Sequence, residues 1–309
     1  MTSSLLTNNA AMTALLSLNQ TQQNLATYEK QVSTGLRISS AADNASYWSI
    51  ATSMSSQVGA LGAVSSALLE SSSMLGTMSA AMQSTVSIMD NIQNDLLTAQ
   101  QPGTSLSKIQ TDISTQQQLL ISIGTSASFN GQNYLASATG QSINLVSSYN
   151  ATSGTSYISL NTTNTALFGT GVSAGSTANL ATSSGAILDT YGTNYTSASI
   201  LSLNISTING GTGATSGDLT NMLKDVQKAL SSIETAASTI GATQTNITAQ
   251  QTFISNLSAS LTAGVGSLVD ADMNQASTKI SALQVQQQLG VQALAIANSN
   301  TQMILRLFQ

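Results

Sequence analysis

The chain has 309 residues, enough for one or two domains, but only 6% of them are charged and the formal net charge is −5. Its 7 Lys and Arg residues form no cluster that could replace the counterions of a phosphate backbone, so we expect no nucleic-acid partner. His and Cys are both absent, which excludes imidazole and thiolate catalysis, disulfides and the usual zinc ligands. We therefore expect neither an enzyme nor a cofactor.

The polar surface must consist mainly of Ser, Thr, Asn and Gln, which subunit contacts can bury without the desolvation cost of a charge. The first ten residues carry no Lys or Arg and no continuous apolar core, so they do not predict a general secretory signal. We also expect no segment long and apolar enough to cross a bilayer, and hence no membrane insertion.

A heptad pattern near the N-terminus predicts a helix with one apolar stripe. The stripe consists of Ala11, Leu15, Leu18, Gln22, Leu25, Glu29, Val32 and Leu36. Isolated helices are marginal in water, so this one needs a partner. The nearest candidate is the other end of the chain, where a similar pattern occurs.

The same spacing continues from about Asn44 to Gln100 and predicts a second helix of roughly 85 Å. Its seam consists of Met54, Val58, Leu61, Ser65, Leu68, Ser72, Leu75, Ser79, Met82, Val86, Met89, Gln93 and Leu96. Pro102 and Gly103 end this helix, and Thr104 or Ser105 can cap a third one that folds back antiparallel.

The centre of the chain loses the helical period. Asn130-Gly131 is a turn signal, and the alternation from Tyr157 to Leu160 indicates hairpins. Asp189 is the only charge between Asn130 and Gly217. Two interpretations stay open, a small β-rich lobe or a loosely ordered loop, and we favour the lobe.

Helical periodicity resumes near Asp218, a candidate N-cap, and continues to the end of the chain. The first seam there consists of Leu219, Leu223, Val226, Leu230, Ile233, Ala237, Ile240, Gln244, Ile247, Gln251, Ile254, Ser258, Leu261, Val265 and Leu268. The terminal seam consists of Val269, Met273, Ala276, Ile280, Leu283, Gln287, Gly290, Leu294, Ala297, Thr301, Ile304 and Phe308. The predicted fold class is mainly α, a long antiparallel helical bundle with terminal coiled-coil helices and a small β-rich central lobe.

Two segments, from Val32 to Ala45 and from Asp270 to Phe308, resemble the signature ends of bacterial flagellin. The resemblance covers roughly residues 1–135 and 218–309, and the run from Ala45 to Met54 is most similar to alphaproteobacterial flagellins. The resemblance implies a subunit of the helical filament used for swimming, secreted to the extracellular flagellum. It further implies self-polymerisation and contacts with the flagellar export apparatus, the filament cap and hook-junction proteins.

Three domains follow from the resemblance together with the heptads. Residues 1–43 and 270–309 form a terminal coiled-coil domain in the inner filament core. Residues 44–135 and 218–269 form a long-helix bundle with a β-hairpin in the outer tube, and 136–217 form a variable surface lobe. The expected self-assembly residues are Leu15, Leu18, Leu25, Val32, Leu36, Met273, Ile280, Leu283, Leu294 and Ile304.

Arg37 and Asp43 are the candidate pair that pins the joint between the terminal and long helices, within one subunit or across two. Two alternative functions remain. A hook-filament junction protein resembles flagellin at both ends but forms few rings, and a secreted helical effector or adhesin would stay monomeric when seeded with filament fragments.

Overall fold

The computed structural model describes residues 8–137, 140–169, 185–196, 198–206 and 216–307. The chain divides into two compact units, residues 1–59 with 258–309, and residues 60–257. The predicted mainly α class with a small antiparallel sheet is confirmed. The elements are α1 (Asn9–Thr34), α2 (Ala45–Ala99), α3 (Leu106–Ser126), β1 (Ser142–Asn150), β2 (Gly154–Asn161), α4 (Ser216–Val269) and α5 (Met273–Leu307).

Polar side chains cap the N-termini of three helices. Asn8 Oδ1 accepts a hydrogen bond from Ala11 N at 3.0 Å at the start of α1, and Asn44 Oδ1 accepts one from Tyr47 N at 3.2 Å at the start of α2. Asp272 caps α5 through Asn274 N at 3.0 Å. The predicted N-cap of α4 is wrong, because that helix begins at Ser216 and places Asp218 in its first turn. A carboxylate there still complements the helix dipole.

Within the first unit, α1 and α5 form an antiparallel pair. Ala271 N donates to Gly35 O at 2.9 Å at one end, and Asn8 Nδ2 donates to Ala297 O at 2.9 Å at the other. The predicted seam of α5 is confirmed from Ala276 to Ala297, and the side chains of Thr301, Ile304 and Phe308 lie outside the described residues. Its buried or half-buried positions are Ala276, Ile280, Leu283, Gln287, Gly290, Leu294 and Ala297. Met273 is 43% exposed and lies outside that seam.

The seam of α1 differs from the predicted one in every second position. Its covered residues are Ala11, Ala14, Leu18, Thr21, Leu25, Tyr28 and Val32. The predicted Leu18, Leu25 and Val32 therefore lie in the seam, whereas Leu15 is 51% exposed and its place is taken by Ala14. After a given seam residue, a heptad allows the next seam residue to lie three or four positions later. The side chains at these two positions point about 100° apart.

The same one-residue shift occurs in the second unit, where α2 and α4 supply most of the core. In α2 every second predicted seam residue from Leu61 to Leu96 is buried, as expected. At the positions between them the buried residues are Val64, Met78 and Ile92, each one residue before the predicted one. The buried apolar residues of α4 in this unit are Leu219, Met222, Val226, Ala229, Ile233, Ala236, Ile240, Ile247 and Ile254.

The helix α3 lies along α2, as predicted, and a polar contact joins them. Gln116 Nε2 donates to Asp95 Oδ2 at 2.9 Å, while Gln116 Oε1 is buried without a hydrogen-bond partner among the described residues. Burial raises the pKa of Asp95, and the nearby charge of Asp112 adds to the effect, although the hydrogen bond from Gln116 opposes it. Burial of the ionised Asp95 carboxylate therefore lowers the stability of the folded chain at neutral pH.

Replacing Asp95 with Asn is expected to raise the melting temperature at neutral pH. The folded state binds the Asp95 proton more tightly than the unfolded chain, so stability falls as pH rises above the ordinary value of 3.8, and Asn removes that loss. An Asn amide can also donate to Gln116 Oε1. Thermal unfolding followed by circular dichroism tests this, with the exposed Asp90→Asn as the matched control. Equal shifts in both variants would contradict the prediction.

The central residues pack onto α3 and α4, which supports the lobe over the loosely ordered loop for the part that the structure describes. The β1–β2 hairpin is antiparallel, with an irregularity between Val146 and Ser148. Gln117 Nε2 donates to the carbonyl oxygens of Ile200 at 2.9 Å and Leu203 at 3.0 Å. The buried Asp225 carboxylate accepts from the backbone N–H groups of Thr193, Asn194 and Tyr195.

The expectation that no segment reaches membrane-spanning length and apolarity is wrong. By length and composition alone, α2 and α4 each contain such a stretch. Both helices combine an apolar seam with Ala, Gly, Ser and Thr on the remaining faces and carry few charges, which raises their apolarity. The core helices of soluble proteins meet the same criterion.

Candidate self-assembly interface

The helix α5 carries a second apolar stripe that α1 does not cover. Val285, Leu289 and Ile296 are 56%, 58% and 62% exposed. They follow a helical spacing, and each lies two positions after a seam residue, which places the stripe about 200° around the helix from the seam. We call these three residues the outward stripe of α5.

The helix α1 has a matching exposed patch near its N-terminal end. Met12 is 64% exposed and Leu16 is 69% exposed, and both lie opposite the covered Ala14 and Leu18. Met12, Leu15 and Leu16 line a surface concavity of about 340 Å³ together with Thr13 and Asn19. We call Met12, Leu15 and Leu16 the outward patch of α1.

Charges are almost absent from this pair of helices. No Asp, Glu, Lys or Arg occurs between residues 9 and 28, or between residues 280 and 305. Exposed apolar residues that occur singly are ordinary, but a contiguous patch marks an interaction surface. The α1–α5 pair thus has one covered apolar seam and an open apolar surface on each of its two helices.

The joint between the terminal and long helices forms a short antiparallel contact. Gly35 has a φ of 72°, in the left-handed region that ends α1. Arg37 N donates to Val269 O at 2.7 Å, and a bridge pairs Leu36 with Asp270. Leu36 then packs, half-buried, on a small cluster. The buried members of this cluster are Ile38, Ala51 and Val269.

The predicted pairing of Arg37 with Asp43 is not present within the described chain. The Arg37 Nη2 atom donates instead to Leu268 O at 2.9 Å, because the backbone bond to Val269 places its side chain at the C-terminal carbonyls of α4. Asp43 Oδ2 accepts from Ser39 N and Ser40 N, each at 2.9 Å, and lies 3.7 Å from Lys30 Nζ. Both residues stabilise the joint, but through different partners.

Hydrogen bonds from Ser39 and Ser40 lower the pKa of Asp43 from 3.8 to about 2. The ionised carboxylate therefore stabilises the joint above pH 3.8, and this stabilisation is lost as pH falls through about 2. We expect Asp43→Asn to lower the melting temperature at neutral pH and to match the wild type near pH 2. Thermal scans across this range test it, with Glu29→Gln as control. A constant gap between wild type and variant would refute it.

Two aromatic residues at the start of α2 also lie on an open surface. Large aromatic side chains usually anchor packing, but Tyr47 and Trp48 are 45% and 39% exposed in the single chain. Trp48 lines a groove of about 430 Å³ together with Leu36 and Val265. The predicted assembly residues did not include these aromatics, the outward stripe of α5 or Leu16. The outward stripe could have been found in the sequence, because its residues follow the predicted α5 seam by two positions.

Comparisons with known proteins agree with the resemblance found in the sequence. The model of the bacterial flagellin N-terminal helical region matches residues 5–139, and the model of the C-terminal helical region matches residues 223–308. The chain is 37% identical to Flagellin C of Rhizobium meliloti (strain 1021) over 321 aligned residues, covering 99% of each protein. It is 38% identical to a flagellin of Brucella melitensis biotype 1 over 310 residues, again with 99% of each covered. The chain belongs to the bacterial flagellin family and is a structural subunit of the flagellar filament.

Proposed function

We propose that copies of this chain polymerise through the two open apolar surfaces of the α1–α5 pair. The observations that carry this proposal are the outward stripe of α5 and the outward patch of α1, on helices without charge over most of their length. Full burial of one such side chain contributes roughly 1.5–3 kcal/mol, so a row of them can offset the entropy lost on assembly.

The predicted assembly residues with described side chains then fall into three groups with different roles. Leu18, Leu25, Val32, Ile280, Leu283 and Leu294 lie in or beside the α1–α5 seam and hold the pair together. Leu36 belongs to the joint, and Leu15 and the half-exposed Met273 are available to a neighbouring subunit. The side chain of Ile304 lies outside the described residues, so its role stays a prediction.

We further propose that the terminal helices form the inner core of the filament, the long helices its outer tube, and residues 136–217 its surface. Family membership supports this arrangement, as well as export through the flagellar secretion apparatus to the cell exterior and contacts with the cap and hook-junction proteins. The function is structural and not catalytic. The names of the relatives favour a filament subunit over a junction protein, an effector or an adhesin.

Seeded polymerisation tests this proposal. Purified full-length chain is mixed with sheared filament fragments, and elongation is followed by light scattering and negative-stain electron microscopy. Long uniform tubes growing from the seeds are the expected result. A chain that remains monomeric at every concentration, or that adds only a few rings, would overturn it.

A further inference from the structure

We infer that Asn130 is a site of spontaneous covalent modification in the folded chain. Its side-chain amide cyclises onto the next backbone nitrogen, and the resulting ring hydrolyses mainly to isoaspartate. The site belongs to the second unit, residues 60–257, and involves neither terminal helix. It therefore holds whether or not the chain is assembled through the open surfaces of α1 and α5.

Asn130 and Gly131 are the two central residues of a tight turn that follows α3. Phe129 N donates to Gln132 O at 2.8 Å, and Gln132 N donates to Phe129 O at 2.9 Å. The φ angles of Asn130 and Gly131 are 50° and 77°, and two positive values in succession are typical of a type I′ turn. Among the residues that the structure describes, Asn130 is the only one other than glycine with a positive φ.

This backbone conformation favours ring closure. A cyclic imide requires Asn130 Cβ and Gly131 N to be nearly eclipsed about the Cα–C bond, which corresponds to a ψ of about −120°, the value at the first central residue of a type II′ turn. Types I′ and II′ share a positive φ at that residue. Rotation of a single peptide group therefore brings Gly131 N towards Asn130 Cγ, while the hydrogen bonds between Phe129 and Gln132 stay closed.

The reacting atoms are open to solvent and unobstructed. Asn130 and Gly131 are both exposed, and a Cβ atom added at Gly131 would meet no atom within 4 Å. No other part of the described chain forms a hydrogen bond with the Asn130 amide or with Gly131 N–H. Glycine also lacks a side chain that would hinder the approach of its nitrogen to the Asn130 amide carbon.

The reaction needs only water. Gly131 N gives up its proton and attacks Asn130 Cγ, so an N–Cγ bond forms, while the Cγ–Nδ2 bond breaks and Nδ2 leaves as ammonia. Water then opens the ring at one of its two carbonyl groups. Opening at the backbone carbonyl routes the main chain through Cγ and gives isoaspartate, whereas opening at Cγ gives aspartate. No atom is oxidised or reduced.

The product differs from the parent chain in charge and in backbone length. A neutral amide becomes a carboxylate, so the formal net charge changes from −5 to −6. Isoaspartate also adds one methylene group to the main chain between Phe129 and Gln132, so the two hydrogen bonds that close the turn no longer align. The fraction of converted chains therefore records the age of the protein.

A second exposed asparagine in a hairpin turn supplies the control within the same chain. Asn150 ends β1 and is followed by Ala151, whose side chain hinders the backbone nitrogen. Its Oδ1 atom accepts a hydrogen bond from Thr152 N at 2.9 Å, which holds the amide away from ring closure. Another Asn-Gly pair, Asn209-Gly210, lies outside the described residues.

The test incubates purified full-length chain in mildly alkaline buffer, with and without urea, and follows each asparagine by mass spectrometry of chymotryptic peptides. In the folded chain we expect Asn130 to convert roughly tenfold or more faster than Asn150, the factor that corresponds to the cost of the left-handed region for an L residue. Gly131→Ala should slow the conversion of Asn130 by a similar factor. Electron-transfer fragmentation distinguishes isoaspartate from aspartate.

Hydrogen exchange measures the effect on the turn. In an Asn209→Ser background, which leaves one Asn-Gly pair, anion exchange separates converted from unconverted chains. The amide protons of Phe129 and Gln132 should exchange roughly tenfold faster in the converted chains, as expected for the loss of their hydrogen bonds.

Four results would overturn the inference: conversion of Asn130 in urea but not in the folded chain, equal conversion of Asn130 and Asn150, an unchanged rate in Gly131→Ala, or equal exchange in converted and unconverted chains. The comparison of Asn130 with Asn150 is made on the wild type, so it decides the matter even if Gly131→Ala does not fold. All four readouts are independent of filament growth, so none of them bears on the proposed function.

Discussion

Replacing Leu289 with Glu is expected to abolish filament growth while leaving the isolated chain folded. Leu289 is 58% exposed and faces away from α1, so a charge there remains solvated in the free subunit. If a neighbour covers the outward stripe of α5, the same charge must be buried without a partner, at a cost of about 3 kcal/mol or more. That corresponds to a loss of roughly a hundredfold or more in elongation affinity.

The matched control for this change is Tyr157→Glu. Tyr157 is 56% exposed, close to the value for Leu289, but it lies in β2, within the region that we propose as filament surface. The control should elongate normally, and the circular dichroism spectra of both variants should match the wild type. Normal elongation of Leu289→Glu would remove the outward stripe from the assembly contacts.

Replacing Gly124 with Ala is expected to destabilise the second unit by about 3 kcal/mol, the upper part of the usual range for overpacking. Gly124 is buried in α3, and a Cβ atom there would overlap Cε2 of the fully buried Phe168 and lie 2.6 Å from its Cδ2. A ring held on all sides cannot move away cheaply. The absence of a side chain at Gly124 therefore permits the contact between α3 and the central lobe.

Other helical glycines supply the control for this prediction. A Cβ added at Gly76 or Gly241 meets no atom within 4 Å, so Ala at either position should stabilise the chain by about 0.5–1 kcal/mol through its better helix propensity. Urea unfolding of each variant measures the difference. In a Phe168→Leu background the cost of Gly124→Ala should shrink. Similar stability of Gly124→Ala and Gly76→Ala would show that the Phe168 ring does not constrain this site.

At every second position of a heptad, the sequence leaves open which of two neighbouring residues faces the partner helix. In α5 the predicted seam is correct from Ala276 to Ala297, although the helix also carries the outward stripe. In α1 the larger apolar residue is Leu15, yet the small Ala14 faces α5 because it allows the two helices to approach closely. In α2 the distinction was readable, since Val64 and Met78 are more apolar than the serines that follow them.

The side-chain partners at the joint between the terminal and long helices could not be predicted from the sequence. Arg37 and Asp43 are close in sequence and opposite in charge, which favours a pair. Their actual partners, Leu268 O for Arg37 and the backbone of Ser39 and Ser40 for Asp43, depend on where the end of α4 meets the chain after α1. Such a contact across 231 positions cannot be deduced from spacing.

By itself the sequence determined the helices, the α5 seam, the low charge and the family, because periodicity, composition and signature segments are local properties of the chain. Only the tertiary structure decided which apolar face of α1 is covered by α5 and which stays open. A helix with apolar residues on two sides satisfies the same periodicity whichever side meets its partner, and the choice depends on how closely the two backbones can approach.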